Sequence, residues 1–335
     1  MQRIRLVYSR VICFFRRARA NVCKFSLYFN IPECHPAKLM FVTKQKNVYS
    51  GDLDLHRTLH LLCFVFRFRK APQHPFPAAY DDCLSVTLGL IKRTDDFRIE
   101  AGKLIVGGDG SGGNLAAAVA QATKGKILMQ VLIYPALQIL DFETPSYQDN
   151  VDSLPGLSSA YRNIYHWLSY AGIPTDYIQF AIDNTHVSST VRNNVYTNYV
   201  DSVKYIPKYL EVTKQKTKPL KAGANFIVTS AVDRVIIEPS FAPMMAVHVA
   251  DVPNTYMITS QYDVLRDEGI MFVNRLFEEG VKVKLEHYKN AMPGFFMFSG
   301  YGPIEFEVSK EAMIVLSEFI RVIYDQQHTP GSQRS

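Results

Sequence analysis

Runs of apolar residues along the chain predict alternating strands and helices from residue 61 onward. Short apolar runs between turn residues are typical of buried strands, and apolar residues at helical spacing are typical of helices. The predicted strands are Leu61–Phe68, Lys103–Gly107, Ile127–Tyr134, Thr255–Gln261 and Val281–Tyr288. The predicted helices are Ala78–Lys92, Asn114–Lys124, Ser158–Ser169, Val264–Glu279 and Glu305–Asp325. This alternation predicts an α/β fold with a mostly parallel sheet flanked by helices.

Two stretches depart from this rhythm. Residues 1–60 show no sustained period and predict no element. Residues of about 141–250 are rich in Tyr, Asn, Ser and Thr, and we interpret them as a cap inserted into the α/β domain. Inside the cap, Val212–Gly223 is rich in Lys and Thr, which predicts an exposed loop. The expected organisation is an N-terminal segment 1–60 and a domain 61–330 that carries the cap.

The positive charge of the chain is concentrated at its N-terminus. The 335 residues hold 37 basic and 31 acidic residues, a net charge of +6. Seven of the basic residues and none of the acidic ones lie within residues 1–32, so the rest of the chain has a net charge of 30 − 31 = −1. The basic character of the chain is therefore an N-terminal property and does not indicate a nucleic-acid-binding face on the body. Residues 1–20 could form a basic amphipathic helix in peripheral contact with a membrane, and a poorly ordered tail is the alternative.

Cysteines and hydropathy exclude several further classes. The five cysteines all lie in the first quarter of the chain and form no C-x-x-C pair, which argues against a metal site or a disulfide framework. No uncharged apolar run reaches the 18 residues expected of a transmembrane helix. No cofactor or metal is predicted.

The strongest chemical signal is the glycine-rich turn Gly107–Asn114, which lies between a predicted strand and a predicted helix. Gly108, Gly110 and Gly113 match the spacing of a dinucleotide fingerprint, but the turn lies mid-chain and no acidic residue closes the next strand. A P-loop would need Gly-Lys-Ser/Thr, which is absent. The third possibility is a nucleophile elbow, in which a serine occupies a sharp strand-to-helix turn.

The surrounding residues favour the elbow. Lys70–Cys83, with its Ala-Pro-Gln-His-Pro-Phe-Pro, and Gly108–Val119 resemble the hormone-sensitive-lipase-like branch of the α/β-hydrolase fold. Within that branch, Leu132–Gln138, Pro145–Asn150 and Thr255–Gly269 are similar to segments of the arylacetamide deacetylase family. The resemblance runs from about residue 61 to the C-terminus and does not cover residues 1–60.

This resemblance implies the chemistry of a serine esterase. The serine attacks an ester or amide carbonyl, a histidine takes its proton, and an acid orients the histidine. The oxyanion is held by the N–H group after the serine and by a second N–H group from an upstream His-Gly-Gly-Gly loop.

The catalytic positions transfer to this chain only in part. The family elbow reads Gly-Asp-Ser-x-Gly-Gly-Asn, which places Gly110 at the nucleophile and Ser111 one residue late. Asp263 matches the triad acid. The family's Asp-Gly-Phe-His-Gly corresponds to Asn290–Gly294, which puts Pro293 at the base position. The His-Gly-Gly-Gly tetrapeptide occurs nowhere in the sequence.

Each remaining candidate also has a structural interpretation. Ser111 is either a displaced nucleophile or a hydroxyl that caps the following helix. Asp263 is either the triad acid or the N-cap of Val264–Glu279, and both roles are compatible. His287, six residues before Pro293, is expected to be a structural histidine because a strand rises about 3.3 Å per residue.

Three hypotheses about function follow. In the first, the chain is an arylacetamide-deacetylase-like ester and amide hydrolase that has lost its triad and retains a pocket for lipid-like or aryl esters. In the second, carboxylesterase activity persists through Ser111. In the third, the chain is a divergent or mis-assembled gene product. The resemblance implies a hydrophobic ester or amide as partner and the endoplasmic reticulum membrane as location, although no clear anchor is visible.

Overall fold

The structure, a computed structural model, describes residues 39–44, 61–66, 68–97, 99–150, 159–210, 222–299 and 305–326. The chain divides into two units, which are described separately. The larger unit is His35–Phe295, and it contains the sheet and every candidate site residue. The described part of the smaller unit consists of residues 296–299 and 305–326. The predicted basic helix in residues 1–20 lies outside the described residues.

A six-stranded sheet organises the larger unit, in the order β2-β1-β3-β4-β5-β6. Strands β3 to β6 are parallel, whereas β1 is antiparallel to both of its neighbours. The strands are β1 Leu39–Lys44, β2 Leu61–Phe66, β3 Ile105–Asp109, β4 Met129–Ile133, β5 Asn254–Ser260 and β6 Val283–Tyr288. The prediction of a mostly parallel sheet is confirmed.

Helices follow each parallel strand. They are α1 Ala78–Lys92, α2 Ser111–Ala122, α3 Pro145–Asp149, α4 Ala160–Ala171, α5 Ile178–Ile182, α6 Ser189–Arg192, α7 Ser202–Tyr205, α8 Phe226–Ile236, α9 Arg266–Glu278 and α10 Glu307–Gln326. Short 3₁₀ helices occupy Thr175–Tyr177, Val195–Val200, Lys208–Leu210, Pro243–Met245 and Phe295–Phe298. Helix α10 belongs to the smaller unit, where Ala312, Leu316 and Ile320 form a buried stripe at a spacing of four residues.

Sequence and structure agree closely on the parallel half of the sheet. Helix α1 has the predicted bounds, and Ile105–Asp109 lies two residues later than the predicted strand Lys103–Gly107. Strand β1 was not predicted, because Leu39–Lys44 is a short run whose pairing partners lie far away in sequence. Helices α3 to α8 all lie between β4 and β5, where the cap was expected. The cap assignment itself stays a prediction, and residues 211–221 of its expected loop lie outside the described residues.

Two glycines permit the close packing around the elbow. A Cβ atom on Gly107 would lie 3.0 Å from the carbonyl oxygen of Val131 on the neighbouring strand. A Cβ atom on Gly113 would lie 2.8 Å from the Cβ atom of Pro135. Helix α2 can therefore approach the chain that leaves β4 only because position 113 has no side chain.

We expect Gly113→Ala to lower the free energy of unfolding by about 1–3 kcal/mol, because the new methyl group overpacks against Pro135. Gly89→Ala is the matched control, since nothing lies within 4 Å of a Cβ atom at that helical position. That variant should gain about 0.5–1 kcal/mol from helix propensity. Denaturant unfolding followed by the fluorescence of the single tryptophan, Trp167, measures both. Equal effects of the two substitutions would contradict the packing.

Candidate functional site

The turn between β3 and α2 has the sharp backbone geometry of a strand-to-helix elbow. Gly110 lies at its apex with φ +53° and ψ −116°. Its N–H group donates to the carbonyl oxygen of Ile133 at 3.0 Å, and its own carbonyl oxygen accepts from Ala136 N–H at 3.2 Å. The end of β4 therefore fixes the elbow from both sides. Glycine adopts this positive φ without the strain that a side chain would add.

The space in front of the elbow is open. Among the residues that the structure describes, no heavy atom lies within 4 Å of the position that a Cβ atom on Gly110 would occupy. The absence of a side chain at 110 is thus not a packing requirement, in contrast to Gly113. A serine would fit there, at the backbone cost that nucleophile elbows bear.

Ser111 is the first residue of α2 and is exposed. The N-cap is Gly110, which has no side chain to bond to the N–H groups of the first turn. The interpretation of Ser111 as a capping hydroxyl is therefore wrong, because a cap must precede the helix and Ser111 lies within it. The first-turn N–H groups therefore have no capping side chain from the N-cap residue, which is the arrangement that an oxyanion site uses.

Asp263 follows β5 and is 1% exposed. One carboxylate oxygen accepts the N–H group of Leu265 at 3.0 Å. Helix α9 begins at Arg266 with Leu265 as its N-cap. The interpretation of Asp263 as the N-cap is therefore wrong, because Asp263 lies two residues before the observed cap. Burial raises the pKa of Asp263 to about 7, although the Leu265 N–H group and the Arg266 charge both lower it. The carboxyl is therefore near its midpoint at neutral pH.

The loop that contains Pro293 runs beside the acid-bearing loop. The N–H group of Tyr262 donates to the carbonyl oxygen of Ala291 at 3.3 Å, and that of Gln261 donates to Tyr288 at 3.0 Å. Pro293 itself is buried. The structure therefore keeps the loop after β6 next to Asp263, where a triad histidine would be supplied.

A buried charged cluster, Arg266, Asp267 and Glu268, anchors the start of α9. All three side chains have no exposed surface. Asp267 accepts from Arg266 Nε at 2.8 Å and from the N–H group of Ser146 at 2.6 Å. Glu268 accepts the N–H groups of Leu137 and Gln138 in the chain that leaves β4. The acid loop is thus held to the same chain segment that fixes the elbow.

Tyr134 completes this corner, and sequence reasoning missed it. It is the residue directly after β4 and has a positive φ of +35°. Its hydroxyl is buried without a hydrogen-bond partner among the described residues. Burial raises its pKa well above the ordinary value, and the carboxylates of Asp109 and Asp263 add to the effect. Its position in a Tyr-Pro pair at a strand end was the only available signal.

His287 has the structural role that its position predicted. Its Nδ1 atom lies 3.0 Å from Thr259 Oγ1 and its Nε2 atom lies 3.0 Å from Gln261 Oε1. Burial lowers the pKa of His287 to about 4. With both ring nitrogens occupied, the histidine stays neutral and has no free atom for Ser111.

The position of strand β1 relative to the elbow matters for a second oxyanion donor, which the family supplies from a segment upstream of the elbow. The strand lies next to the elbow strand, but it runs antiparallel and pairs Leu39 with Gly108. Strand β1 therefore ends, at Lys44, beside the start of β3 and away from the elbow. Among the described residues, no group of three His, Cys, Asp or Glu side chains is placed to hold a metal ion. None of the described helices combines the length and hydropathy needed to span a bilayer.

The fold agrees with comparisons to known proteins. A family model described as alpha/beta hydrolase fold matches residues 53–193 and 205–297. The chain therefore belongs to the alpha/beta hydrolase fold family. Among solved structures, it is similar to an esterase of Pyrobaculum calidifontis, with 23% identity, a TM-score of 0.51 and coverage of 79% of this chain and 67% of that one. An esterase of Mycobacterium marinum gives 18% identity, a TM-score of 0.54 and coverage of 79% and 63%.

Curated relatives are similar at a higher level of identity. Neutral cholesterol ester hydrolase 1 of Mus musculus is 30% identical over 262 residues, which cover 75% of this chain and 62% of that protein. Arylacetamide deacetylase of Bos taurus is 30% identical over 263 residues, which cover 75% and 64%. The matched part thus spans less than two thirds of these relatives.

The titration of Asp263 should be visible in the stability of the protein. A carboxyl has a pKa of about 3.9 in the unfolded chain, and the folded value is about 7. Between these values the folded state binds more protons, so the contribution of Asp263 to stability falls as pH rises through this window. Asp263→Asn removes this fall and keeps an acceptor for Leu265 N–H. The variant should therefore become more stable relative to the natural protein between pH 5 and pH 8, by a few kcal/mol at most at about 1.4 kcal/mol per pKa unit.

The measurement is denaturant unfolding of both proteins at a series of pH values. Asp81→Asn, at an exposed position of helix α1, is the control for the loss of one carboxylate. A difference between Asp263→Asn and the natural protein that does not vary with pH would contradict a protonated, buried Asp263.

Proposed function

We propose that this chain is a ligand-binding member of the alpha/beta hydrolase family whose serine-esterase triad is lost. The ligand class is a hydrophobic ester or amide. The main observation in support is Gly110, which occupies the apex of an otherwise regular elbow and has no side chain that could act as a nucleophile.

The environment of the elbow supports this assignment. The open space at the Gly110 Cβ position and the uncapped N–H groups of α2 leave room and polarity for a carbonyl group. The acid Asp263 remains, but the loop beside it contains Pro293, whose side chain can neither donate nor accept a proton. A triad acts as a unit, so losing its nucleophile or base costs roughly 10⁶ in rate. Binding can persist where turnover does not.

The names of the relatives support the ligand class. Proteins called neutral cholesterol ester hydrolase and arylacetamide deacetylase act, by those names, on a sterol ester and an aryl amide. Both are apolar molecules built around one acyl linkage. A member of the family with an open elbow is accordingly expected to bind the intact linkage.

Hydrolysis of a short-chain nitrophenyl ester is the direct test. The natural protein and Ser111→Ala should both show only the background rate, because Ser111 lies on the helix and His287 has no free nitrogen. Turnover by the natural protein that disappears in Ser111→Ala would overturn the proposal and establish residual carboxylesterase activity through Ser111.

Restoring the triad tests the same geometry from the opposite direction. Gly110→Ser combined with Pro293→His supplies a nucleophile and a base to the remaining Asp263. We expect hydrolysis above background in this double variant only, and at a rate reduced about 10²–10³-fold from that of a complete site because one oxyanion donor is absent. The single variants are the matched controls, since each lacks one member. Equal activity in Gly110→Ser alone would show that a base exists elsewhere and contradict the account.

Binding of the uncleaved ester should stabilise the fold. A ligand that binds the folded state raises the melting temperature in proportion to ln(1 + [L]/Kd). We expect phenyl esters and anilides to raise the melting temperature. Their hydrolysis products, a free acid with a phenol or an aniline, should raise it less, because they lack the intact acyl linkage that the elbow faces. Differential scanning fluorimetry measures this, and the absence of any shift with esters and amides would contradict the binding role.

A further inference from the structure

Large apolar side chains are exposed mainly in one segment of the larger unit. Among the described residues, five of them are more than two thirds exposed, and four of the five lie within residues 203–227. These four are Val203, Tyr209, Phe226 and Ile227. The fifth, Phe277, precedes Glu278, which forms an ion pair with Lys204 at 2.8 Å. Single exposed apolar residues are ordinary on a protein surface, so it is their concentration in one segment that needs a cause.

Local structure holds these side chains in exposed positions. Asp201 caps α7 and accepts the N–H group of Val203 at 3.0 Å. Asn225 caps α8 and accepts the N–H group of Ile227 at 3.1 Å. Each cap satisfies a donor of the first helical turn, so the exposed apolar residues belong to stabilised helix starts.

Each element also has a buried face that fixes its orientation. In α8, Val228, Val232 and Ile236 are buried at a spacing of four residues, which leaves Phe226 outside the buried face. Between Val203 and Tyr209, the buried residues are Tyr205 and Ile206. The core therefore holds both elements without using their exposed apolar side chains.

The same segment concentrates positive charge. Residues 203–227 hold six lysines and one acidic residue, a net charge of 6 − 1 = +5. Residues 33–335 have a net charge of −1, so the rest of that body has a net charge of −1 − 5 = −6. Lys204 and Lys208 are exposed next to Val203 and Tyr209. Exposed apolar residues and positive charge thus coincide in one segment of an otherwise acidic body.

An anionic lipid surface is the partner that fits this combination. Lysines are attracted to anionic headgroups, while apolar and aromatic side chains enter the boundary between headgroups and acyl chains. A nucleic acid would use the lysines but would present phosphates rather than apolar surface to Val203 and Phe226. The core of a protein interface is depleted of lysine.

We propose that this surface binds the protein peripherally to an anionic lipid bilayer. Its members among the described residues are Val203, Lys204, Lys208, Tyr209, Phe226 and Ile227. The apolar side chains enter the headgroup region, and the lysines stay at the level of the phosphate groups. The contact is separate from the elbow and independent of the proposed function.

The depth of individual side chains in the bilayer tests this contact. The chain has one tryptophan, Trp167, which is buried, so Tyr209→Trp and Phe226→Trp each add one exposed reporter. Each full-length variant is mixed with vesicles of phosphatidylserine and phosphatidylcholine whose acyl chains carry bromine. We expect the emission of both reporters to move to shorter wavelength and to be quenched. Val247→Trp, at an exposed position outside the segment, is the matched control and should not be quenched.

Co-sedimentation with the same lipids without bromine tests the charges. Lys208→Glu should weaken binding about ten-fold or more, because each lysine near an anionic surface contributes about five-fold and the reversal changes two charges. Lys124→Glu is the matched control, since Lys124 is exposed and pairs with Asp251 outside the segment. It should bind as the natural protein does. Binding should fall with added salt and be lost on pure phosphatidylcholine.

Two results would overturn the proposal. One is a natural protein that does not bind phosphatidylserine vesicles. The other is binding without quenching of either reporter, which would place the contact elsewhere, for example at the basic residues 1–32. Equal losses in Lys208→Glu and Lys124→Glu would contradict the assignment of the surface, and circular dichroism of every variant checks that the fold is unchanged.

Discussion

The buried carboxylates at the start of α9 determine how the rest of the site is arranged. Asp267 and Glu268 have no exposed surface, yet each accepts main-chain N–H groups from the segment that follows β4. Burial of a carboxylate costs free energy, and the arrangement is stable only because fixed hydrogen-bond donors satisfy both groups. Glu268 shows the balance directly, since burial raises its pKa to about 8 against the donors that lower it. The cluster therefore locks two loops together rather than supplying net stability of its own.

The elbow and the acid loop meet through this lock. The segment after β4 bonds to Gly110 on one side and to Glu268 on the other. The segment that shapes the elbow is thus held by hydrogen bonds that do not involve the side chains that would perform the chemistry. For this reason the catalytic positions can change while the elbow keeps its shape. The proposed ligand-binding role depends on that separation between scaffold and reactive groups.

The sequence predicted those features that depend on local pattern. Helix α1 was predicted with its true bounds, because Pro77 precedes it and its apolar spacing is regular. Gly110 was identified as the apex of the turn from the glycine motif, and its positive φ agrees with a position that favours glycine. The prediction that Ser111 caps the helix is wrong, because α2 starts at Ser111, three residues before the predicted Asn114. Only the backbone geometry reveals this.

The features that the sequence could not predict depend on contacts between residues far apart in the chain. Strand β1 exists through pairing with β2 and β3, which no local pattern encodes. The charges of Arg266, Asp267 and Glu268 have the polar character of a solvated helix start, and their burial follows from partners more than 100 residues away in the chain. The raised pKa of Asp263 likewise follows from its burial. The sequence could not single out Tyr134, because its burial near the carboxylates of Asp109 and Asp263 depends on the tertiary structure.

The central claim is that no activated serine remains at the elbow. The most direct measurement is intact mass spectrometry of the protein after incubation with a fluorophosphonate, which phosphonylates an activated serine with loss of fluoride. The account predicts an unchanged mass, because Gly110 has no hydroxyl and no histidine of the part of the chain that the structure describes hydrogen-bonds to Ser111. A stoichiometric adduct that maps to Ser111 and disappears in Ser111→Ala would contradict it.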